Sequence, residues 1–407
     1  MLIIRQNHVP VDPRVRRELY ALLDAGYRVD VLCTRGRGER WHERDGAMRI
    51  IRMPLFHRRG GVPGFLLEYL LFFAFALVAA TLLQLVRRYR VVQVNTLPDV
   101  LVFAAAIPRL LGARVLLDLH ECMPEFFMSK YGVAAGHPAV RLLGRLEQAA
   151  IRFADHALTC TEDMRGAFVA RGAAAEDISI VLNSADETAF DPDRHPERPP
   201  DGRFVLICHG AIESRYGLDT TIRAVGRLAG ELPGLRLEIY GNGSQTPVLQ
   251  ALARELGVGD RVTFSDGYVP LDALVAAIAR ADVGVVAIAR DRFRDLTHCN
   301  KMYDFIAMRR PVVCSRTASV LSYFDDESFA WFDSGDERAL AAAIRALHDD
   351  PQRRADLVAH AARRAEPYRW VHQRRVYVAI VRDLLGRPAA PAVREPAERS
   401  GRVHAGR

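Results

Sequence analysis

The sequence of 407 residues contains almost no lysine. Of its 56 basic residues only Lys130 and Lys301 are lysines, and all the others are arginines. A bias of this kind is typical of the base composition of a genome, so each remaining lysine is a candidate for a specific role. Half of the residues are hydrophobic and 26% are charged, which excludes a disordered or fibrous protein. The length predicts two or three domains.

Cysteine is also scarce and is scattered along the chain. The six cysteines form no C-x-x-C pair, and the histidines do not cluster at metal-ligand spacing, so we expect neither a disulfide framework nor a metal site. Free thiols of this kind are typical of a reducing compartment. The first residues, MLIIRQNHVP, resemble a strand and lack the regions of a secretory signal, so we expect a cytoplasmic protein.

Motifs of nucleic-acid-binding proteins are missing although the chain is basic. Residues 1–60 hold thirteen arginines and seven acidic residues, which accounts for almost all of the net charge of +7. No helix-turn-helix, RNP or zinc-finger spacing accompanies this charge, so no nucleic-acid partner is expected. A solvated basic surface, an anionic membrane surface and phosphorylated ligands remain as alternatives.

Short apolar runs alternate with helical segments along most of the chain. Six such runs lie before residue 183, and five more follow residue 203. This alternation predicts two α/β domains with doubly wound parallel sheets, which bind ligands beyond the carboxyl ends of their strands. Pro, Asp and Arg are dense between them, which indicates a linker. We predict domains over 1–185 and 203–368, a linker over 186–202, a helix over 369–386 with packing on the first domain as an alternative, and a disordered tail over 387–407.

One long run, residues 69–86, carries no charged side chain. Eighteen residues are at the lower limit for a transmembrane helix. A single crossing would place strands of one predicted sheet on opposite sides of a bilayer, which opposes a span. Glu68 at one end and RRYR at 87–90 favour a helix docked on the sheet or lying at an interface. A buried helix, a peripheral membrane contact through 65–90 and a true span remain as alternatives.

The best candidate for a ligand site begins at Asn300. Asn is a favourable N-cap residue, and a helix that begins there would direct free N–H groups and the positive end of its dipole at an anion. Lys301 lies in the first turn of this helix. Asp304 follows one turn later and is a candidate acceptor for ribose hydroxyls. A surface lysine and an ordinary helical acid are the alternative interpretation.

Two further loops follow strands of the second domain. Gly210 would allow a ligand to approach closely, and Arg215 in the same loop is suited to bidentate binding of a diphosphate. Gly241 and Gly243, after the next strand, would allow backbone to pack against a flat or charged ligand. A plain turn is the alternative for each glycine alone. Together the three loops predict a phosphate site.

These segments resemble the GT-B glycosyltransferases, specifically the large retaining family 4, also called glycosyl transferases group 1. The opening strand, loop and helix of the family are similar to HVPVDPRVRRELYALLDAGYRVDVLC (8–33), and its V-x-N-G-V-D-x-x-x-F segment is similar to IVLNSADETAF (180–190). Its two donor-binding stretches are similar to HGAIESRYGLDTTIRAV (209–225) and NKMYDFIAMRRPVV (300–313). The resemblance covers nearly the whole chain and implies two Rossmann-like domains that face a cleft.

The resemblance also implies a donor and a chemistry. The donor would be a nucleotide diphosphate sugar, bound mainly by the second domain, with no cofactor and no required metal. Arg215, Lys301 and the helix N-terminus at Asn300 would stabilise the negative charge on the departing diphosphate. Asp304 falls at the second glutamate of the family's paired-Glu motif, a ribose contact.

In the first domain, His120 matches the family's His that faces the sugar. A strand-end His with local hydrogen bonds is the alternative. Asp12 and Arg14 would lie in a loop near the phosphate or the acceptor.

The sequence departs from the family pattern at three places, and at the first of them Asn183-Ser184 replaces Asn-Gly. Leu296 stands where the family has its first glutamate, so Asp295 or His298 are candidate replacements. Tyr216-Gly217 replaces the usual Lys-Gly, which leaves Arg215 to supply the charge. These departures weaken any prediction of which sugar is bound.

The leading hypothesis is therefore sugar transfer to a lipid-linked or other saccharide acceptor, as in bacterial surface polysaccharide or glycolipid biosynthesis. The location would be cytoplasmic, with attachment to the inner face of the membrane as an alternative. A nucleotide-sugar epimerase of the same fold and a non-catalytic, membrane-associated subunit are the competing hypotheses.

Overall fold

The computed structural model describes residues 1–36, 38–53, 61–196, 198–265, 267 and 269–386. Two compact units are present: one contains Met1–Leu182 and the chain from Gln373 onward, and the other contains Asn183–His372. The residues predicted as a linker therefore belong to the second unit, which begins three positions earlier than the first predicted boundary. The predicted tail, 387–407, lies outside the described residues.

The sheet of the first unit has eight strands in the order β3-β4-β2-β1-β5-β6-β7-β8. All neighbours are parallel except the antiparallel pair β3 and β4. The strands that follow β1 in the chain lie on both sides of it, with β2 on one side and β5 on the other. The topological switch point, where such sheets bind ligands, therefore lies between β1 and β5. The strands are β1 Leu2–His8, β2 Val29–Thr34, β3 His42–Asp45, β4 Met48–Met53, β5 Val91–Asn95, β6 Arg114–Leu119, β7 His156–Thr159 and β8 Ile178–Ile180.

Helices pack against this sheet. They are α1 Pro13–Asp24, α2 Gly61–Arg87, α3 Ala106–Leu110, preceded by a 3₁₀ helix over Asp99–Ala105, and then α4 Met123–Tyr131, α5 Pro138–Phe153 and α6 Glu162–Ala170. The last helix of the chain belongs to the first unit from Gln373 onward. Its Gln373 Oε1 accepts a hydrogen bond from Leu182 N at 2.9 Å, and its Tyr377 hydroxyl donates to Gln93 Oε1 at 2.6 Å.

The long apolar helix α2 has one buried strip and one exposed face. Residues four positions apart are buried and lie toward the sheet and the 3₁₀ helix, and these are Glu68, Phe72, Ala76, Ala80 and Gln84. The segment Leu66–Arg87 is long and apolar enough to cross a membrane, with a mean hydropathy of 2.3, but 22% of it is buried. Because the strands before and after α2 pair in one sheet, a single crossing is inconsistent with this fold.

The second unit contains six parallel strands in the order β11-β10-β9-β12-β13-β14, with its switch point between β9 and β12. The strands are β9 Phe204–His209, β10 Leu235–Tyr240, β11 Val262–Phe264, β12 Val283–Val286, β13 Val312–Ser315 and β14 Ala330–Phe332. The helices are α7 Leu218–Leu228, α8 Thr246–Glu255, α9 Leu271–Arg280, α10 Lys301–Ala307, α11 Ala318–Leu321, α12 Glu337–Asp349, α13 Pro351–Ala365 and α14 Trp370–Leu384. Three strands, β3, β4 and β14, were not among those predicted.

Candidate functional site

A pocket lies at the switch point of the second unit. It is bounded by the carboxyl ends of β9 and β12, by the loop that precedes α7, and by the first residue of α10. Its lining includes His209, Gly210, Tyr216, Ala287 and Lys301. The pocket therefore occupies the position at which parallel α/β sheets bind ligands.

At three glycines of this region, other atoms of the protein lie where a Cβ would be. A Cβ at Gly210 would collide with the Lys301 side chain, and a Cβ at Gly241 or Gly243 would collide with the backbone of the loop that follows β9. The prediction that Gly241 and Gly243 let backbone approach a ligand is therefore corrected, because their open side is occupied by the neighbouring loop. Gly210 instead allows Lys301 to reach the pocket.

Three cations surround the ring of Tyr216. Lys301 Nζ lies 3.7 Å from the ring centroid, and the guanidinium carbons of Arg294 and Arg215 lie 5.0 and 5.3 Å from it. The charge of Lys301, opposed by burial and aided by Arg294 and Arg215, lowers the pKa of the Tyr216 phenol. Among the described residues no carboxylate forms an ion pair with any of the three cations. The pocket is thus strongly positive.

Asp304 lies one turn after Lys301 on α10 and faces the end of β9. Its Oδ2 is 3.5 Å from Nε2 of the buried His209. The His209 ring meets Phe305 edge to face, with centroids 5.2 Å apart. Burial, followed by the charge of Lys301, lowers the pKa of His209 to about 3, so this ring is neutral at physiological pH. Asp304 remains 17% exposed and is accessible to a ligand.

The predicted role of Asn300 as a helix cap is corrected. Asn300 directly precedes α10, but it has helical backbone angles and its side chain accepts no capping hydrogen bond. The backbone of a residue already in helical geometry does not direct its side chain toward the first free N–H groups. α10 also contains only seven residues, so Lys301 rather than the helix dipole supplies most of the positive charge at this point.

The two candidate replacements for the missing glutamate have other partners. Asp295 binds Arg290 at 2.9 Å and accepts a hydrogen bond from Ala318 N at 2.9 Å. His298 lies between the hydroxyls of Tyr303 and Ser319, 3.2 and 3.3 Å from its two ring nitrogens. Burial lowers the pKa of His298 to about 3. Both side chains therefore stabilise the loop before α10.

In the first unit, His120 lies just beyond the end of β6. Its Nε2 is 2.9 Å from Asp118 Oδ2 and 3.3 Å from Asn95 Oδ1, and its backbone N–H donates to Thr96 Oγ1 at 3.0 Å. Burial opposes ionisation of Asp118, but Arg14 and His120 hold the pKa of this carboxyl well below its usual range. Because an ionised carboxylate only accepts hydrogen bonds, His120 Nε2 donates.

Arg14 is buried beneath this site, which corrects its predicted place in an acceptor loop. It is 4% exposed, and its Nε and Nη2 bind Asp118 at 2.8 and 2.7 Å. Nη1 donates to Val181 O at 2.8 Å, and Nε is also 3.2 Å from Glu18. With all of its nitrogens in internal contacts, Arg14 joins β6, β8 and α1 and does not face a ligand.

Asp12 is likewise an internal residue. Its side chain caps α1 by accepting hydrogen bonds from the N–H groups of Arg14 and Val15, and it also binds Arg5 at 2.9 Å and Asn7 at 3.0 Å. Burial would raise the pKa of Asp12, but the charge of Arg5 and these hydrogen bonds lower it to about 2. The loop prediction for Asp12 is corrected, because the carboxylate is 6% exposed.

A buried chain of polar side chains, not found from the sequence, continues from Arg14. Glu18 accepts a hydrogen bond from Gln93 at 2.7 Å, and Tyr377 on α14 donates to Gln93. Burial, followed by the charge of Asp118, holds the pKa of Glu18 well above its usual range. Glu18 is therefore neutral, and the Arg14 guanidinium is paired with one ionised carboxylate, that of Asp118. The only local signal was Glu18 four positions after Arg14 on one helix face.

Gly210 and Lys301 line the pocket of the second unit. Arg215 lies beside its lining residue Tyr216, and Asp304 lies beside its lining residue His209. The structure places His120, Asp12 and Arg14 near one another in the first unit, where only His120 remains at the surface of the site. Arg294, Tyr216 and His209 are site residues that the sequence did not single out as ligand contacts. Within the described ranges, no group of three or more His, Cys, Asp or Glu residues is arranged to hold a metal ion.

Comparison with known families agrees with this division of the chain. Residues 11–184 match the glycosyl transferase 4-like domain, and residues 203–350 match the domain called glycosyl transferases group 1. The two matches together cover most of the chain, and each corresponds to one of the two units.

Curated relatives match parts of the chain. GDP-mannose-dependent alpha-(1-6)-phosphatidylinositol monomannoside mannosyltransferase of Mycolicibacterium smegmatis is 33% identical over 177 residues, 42% of this chain and 46% of that protein. Lipopolysaccharide core biosynthesis glycosyltransferase LpsD of Rhizobium meliloti is 29% identical over 185 residues, 45% of this chain and 50% of that protein. The chain thus spans about half the length of the curated relatives that it matches.

Solved structures share the fold over nearly the whole chain. Sucrose-phosphate synthase from Thermosynechococcus elongatus has a TM-score of 0.73 at 19% identity, covering 95% of this chain and 98% of that chain. WaaG, a glycosyltransferase involved in lipopolysaccharide biosynthesis, has a TM-score of 0.65 at 14% identity, covering 93% and 99%. The predicted fold class and family are confirmed: the chain has the GT-B fold and belongs to the family 4, or group 1, glycosyltransferases.

Proposed function

We propose that the protein transfers a sugar from a nucleotide diphosphate sugar to a lipid-linked or other saccharide acceptor, with retention of anomeric configuration and without a metal or cofactor. The observation that carries this proposal is the cluster of three cations around Tyr216, which lines the pocket together with Lys301. None of the three cations has a carboxylate ion-pair partner among the described residues. A diphosphate supplies the negative charge that such a cluster lacks. Retention rests on the family.

The pocket residues would act on the departing group. During transfer the bond between the anomeric carbon and the diphosphate oxygen breaks, and the electron pair leaves with the diphosphate. Lys301 and Arg215 stabilise that charge where it develops, which is the most effective form of electrostatic catalysis. Asp304, held 3.5 Å from His209, accepts hydrogen bonds from the ribose hydroxyls. The acceptor oxygen bonds to the anomeric carbon, and its proton passes to an oxygen of the departing diphosphate.

His120 is the proposed contact of the first unit with the sugar. Because Nε2–H donates to Asp118, Nδ1 carries the lone pair and accepts a hydrogen bond from a sugar hydroxyl. Burial, followed by the charge of Arg5, lowers the pKa of His120, which keeps the ring neutral and in this tautomer.

A thermal-shift screen tests the donor. Nucleoside diphosphates and their sugars are added to the full chain, and a ligand at about 100 times its dissociation constant should stabilise the protein by roughly 2.7 kcal/mol. Lys301→Ala should weaken binding at least about tenfold, since a contact to a charged group contributes about 1.5–3 kcal/mol. Lys130→Ala, the matched control in the first unit, should bind normally. Equal binding by the wild type and Lys301→Ala would contradict the donor site.

We further propose that the exposed face of α2 lies on the anionic cytoplasmic surface of a membrane and gives access to a lipid-linked acceptor. The side chains of Leu82, Leu85 and Val86 are 59%, 61% and 77% exposed. Arg87 and Arg88 follow them at the surface. Apolar side chains next to arginines are suited to an interface between acyl chains and anionic headgroups. Relatives named for phosphatidylinositol mannoside and lipopolysaccharide core synthesis support a lipid acceptor.

Vesicle co-sedimentation tests this surface. The wild type should bind vesicles containing phosphatidylglycerol and bind phosphatidylcholine vesicles less. Leu82→Glu should reduce binding at least about fivefold, because inserting a leucine side chain contributes about 1.5–3 kcal/mol. Val248→Glu, at an equally exposed position (59%) in the second unit, is the control. Equal binding by both variants, or self-association of the wild type without lipid, would contradict a membrane surface.

A further inference from the structure

Arg294 is a buried cation without a counter-charge. It lies in the loop before α10 and is 7% exposed. Its Nε has no hydrogen-bond partner, and its Nη1 lies 3.5 Å from Thr297 Oγ1. Its backbone N–H donates to Asp291 Oδ1 at 2.7 Å, but among the described residues no carboxylate oxygen lies within 4.0 Å of its guanidinium nitrogens. The guanidinium therefore has no ion-pair partner in the described structure.

Aromatic rings rather than acids surround the Arg294 guanidinium. Its central carbon lies 4.9 Å from the centroid of Phe293 and 5.0 Å from that of Tyr216. Lys301 contacts the same Tyr216 ring at 3.7 Å. The faces of aromatic rings attract cations, so the Tyr216 ring offsets part of the repulsion among Lys301, Arg294 and Arg215. The pocket above the ring thus receives the field of all three cations.

This arrangement is costly for the fold. A buried charge that lacks a counter-ion reduces stability, and replacing it with an apolar side chain of similar size is expected to be neutral or stabilising. Residues that break such a rule are expected at functional sites, where binding compensates the cost. An anion bound in the pocket would offset the positive charges of Arg294 and Lys301 and so would compensate the cost to stability.

We propose that Arg294 is a positioning residue for an anionic phosphate group bound at Lys301: its charge, held against Tyr216, increases the affinity for the diphosphate without touching it. This inference rests on the proposed function, because the diphosphate is that of the proposed donor. It assigns to Arg294 a permanent positive charge in addition to those of Lys301 and Arg215, next to the Tyr216 that replaces the family's lysine.

The test compares Arg294→Gln with Arg292→Gln, the same change two positions earlier at an exposed residue. Affinities for inorganic pyrophosphate and for UDP and GDP are measured by calorimetry, and melting temperatures are measured without ligand. Arg294→Gln should bind each probe at least about threefold more weakly, as expected for losing one partly screened charge. Its melting temperature without ligand should stay the same or rise. Arg292→Gln should match the wild type in both measurements.

Arg294→Lys and Arg294→Met complete the set. Arg294→Lys keeps the charge and should retain affinity, whereas Arg294→Met should reproduce the weak binding of Arg294→Gln and melt no lower than the wild type. A lower melting temperature with unchanged affinity, or loss of folding in both neutral variants, would overturn the inference and assign Arg294 a structural role. If Lys301→Ala loses binding while Arg294→Gln does not, only this inference fails. If the wild type binds no diphosphate, the proposed function fails with it.

Discussion

Both units carry a buried arginine at the ligand-binding edge of a parallel sheet, but the two arginines have opposite surroundings. Arg14 in the first unit is 4% exposed and binds Asp118 through two nitrogens. Arg294 in the second unit is 7% exposed and has no carboxylate partner among the described residues. Burial alone therefore does not distinguish a structural charge from a functional one. The presence or absence of a counter-charge does.

The same contrast extends to the neighbours of each arginine. In the first unit Asp12, Asp118 and Glu18 bind arginines or N–H groups of the protein itself. In the second unit Lys301 lies against the Tyr216 ring and beside Gly210, and it has no carboxylate ion-pair partner in the described ranges. Removing a charge should thus damage folding in the first unit and ligand binding in the second.

The largest effect on folding is expected for Arg14→Met. Removing one partner of a buried ion pair leaves Asp118 uncompensated and should lower the free energy of unfolding by about 3–5 kcal/mol. Urea unfolding of the full chain measures this change. Arg28→Met, at an exposed position of the same unit, should be close to neutral. A loss below about 1 kcal/mol for Arg14→Met would remove the contrast between the units.

A smaller loss is expected for Gly217→Ala in the second unit. Gly217 has a φ of +57°, and a Cβ there would collide with the carbonyl oxygen of Ala287. The strain should cost about 2 kcal/mol and should displace Arg215 and Tyr216, so nucleotide binding should weaken as well. Gly230→Ala, where a Cβ meets open space, is the control. Normal nucleotide binding by Gly217→Ala would show that this loop does not form the site.

The stability of the first unit should fall at acid pH because Asp12 becomes protonated. The pKa of Asp12 is lowered to about 2, so its carboxylate stabilises the folded state above its unfolded pKa of about 4, and this contribution of about 2 kcal/mol is lost as the pH falls toward 2. Asp12→Asn retains a capping side chain but should be less stable at pH 7 and show a flatter acid limb in urea unfolding between pH 5 and pH 2. An unchanged acid limb would contradict the Arg5–Asp12 ion pair.

The smallest effect on folding is expected for Lys301→Ala. Because Lys301 has no carboxylate partner in the described structure, its removal should change the free energy of unfolding by less than about 0.5 kcal/mol. The same variant should lose diphosphate affinity, as proposed above. A loss of several kcal/mol in urea unfolding would instead make Lys301 a structural residue like Arg14.

The strands that could be predicted are those with strong local signals. β1, β5, β6, β9 and β12 each contain a short apolar run and are largely buried, which is typical of parallel sheets. β3 has the sequence HERD and is exposed throughout, and β14 has only three residues. Such short or polar strands are set by pairing with a neighbour, which local sequence does not encode.

The candidate site was predicted in part for a similar reason. Residue types suited to a diphosphate singled out Lys301 and Arg215, and suitability as an acceptor for ribose hydroxyls singled out Asp304. The structure places all three near the end of one sheet. Gly241 and Gly243, after β10, were predicted to lie against a ligand. The sequence shows that a glycine backbone is free to adopt many conformations, but it does not show which atoms lie beside it. The space beside these two glycines holds the loop after β9.

The sequence by itself determined the two α/β units and the family, and it singled out candidate residues for a diphosphate, because hydrophobic periodicity and short motifs are local properties. Tertiary structure decided which charges are available to a ligand. Arg14 and Asp118 are 104 positions apart, and Arg294 reaches the Tyr216 ring from a different loop. Charge compensation depends on such distant contacts, because the energy of a charge is set by what surrounds it in space.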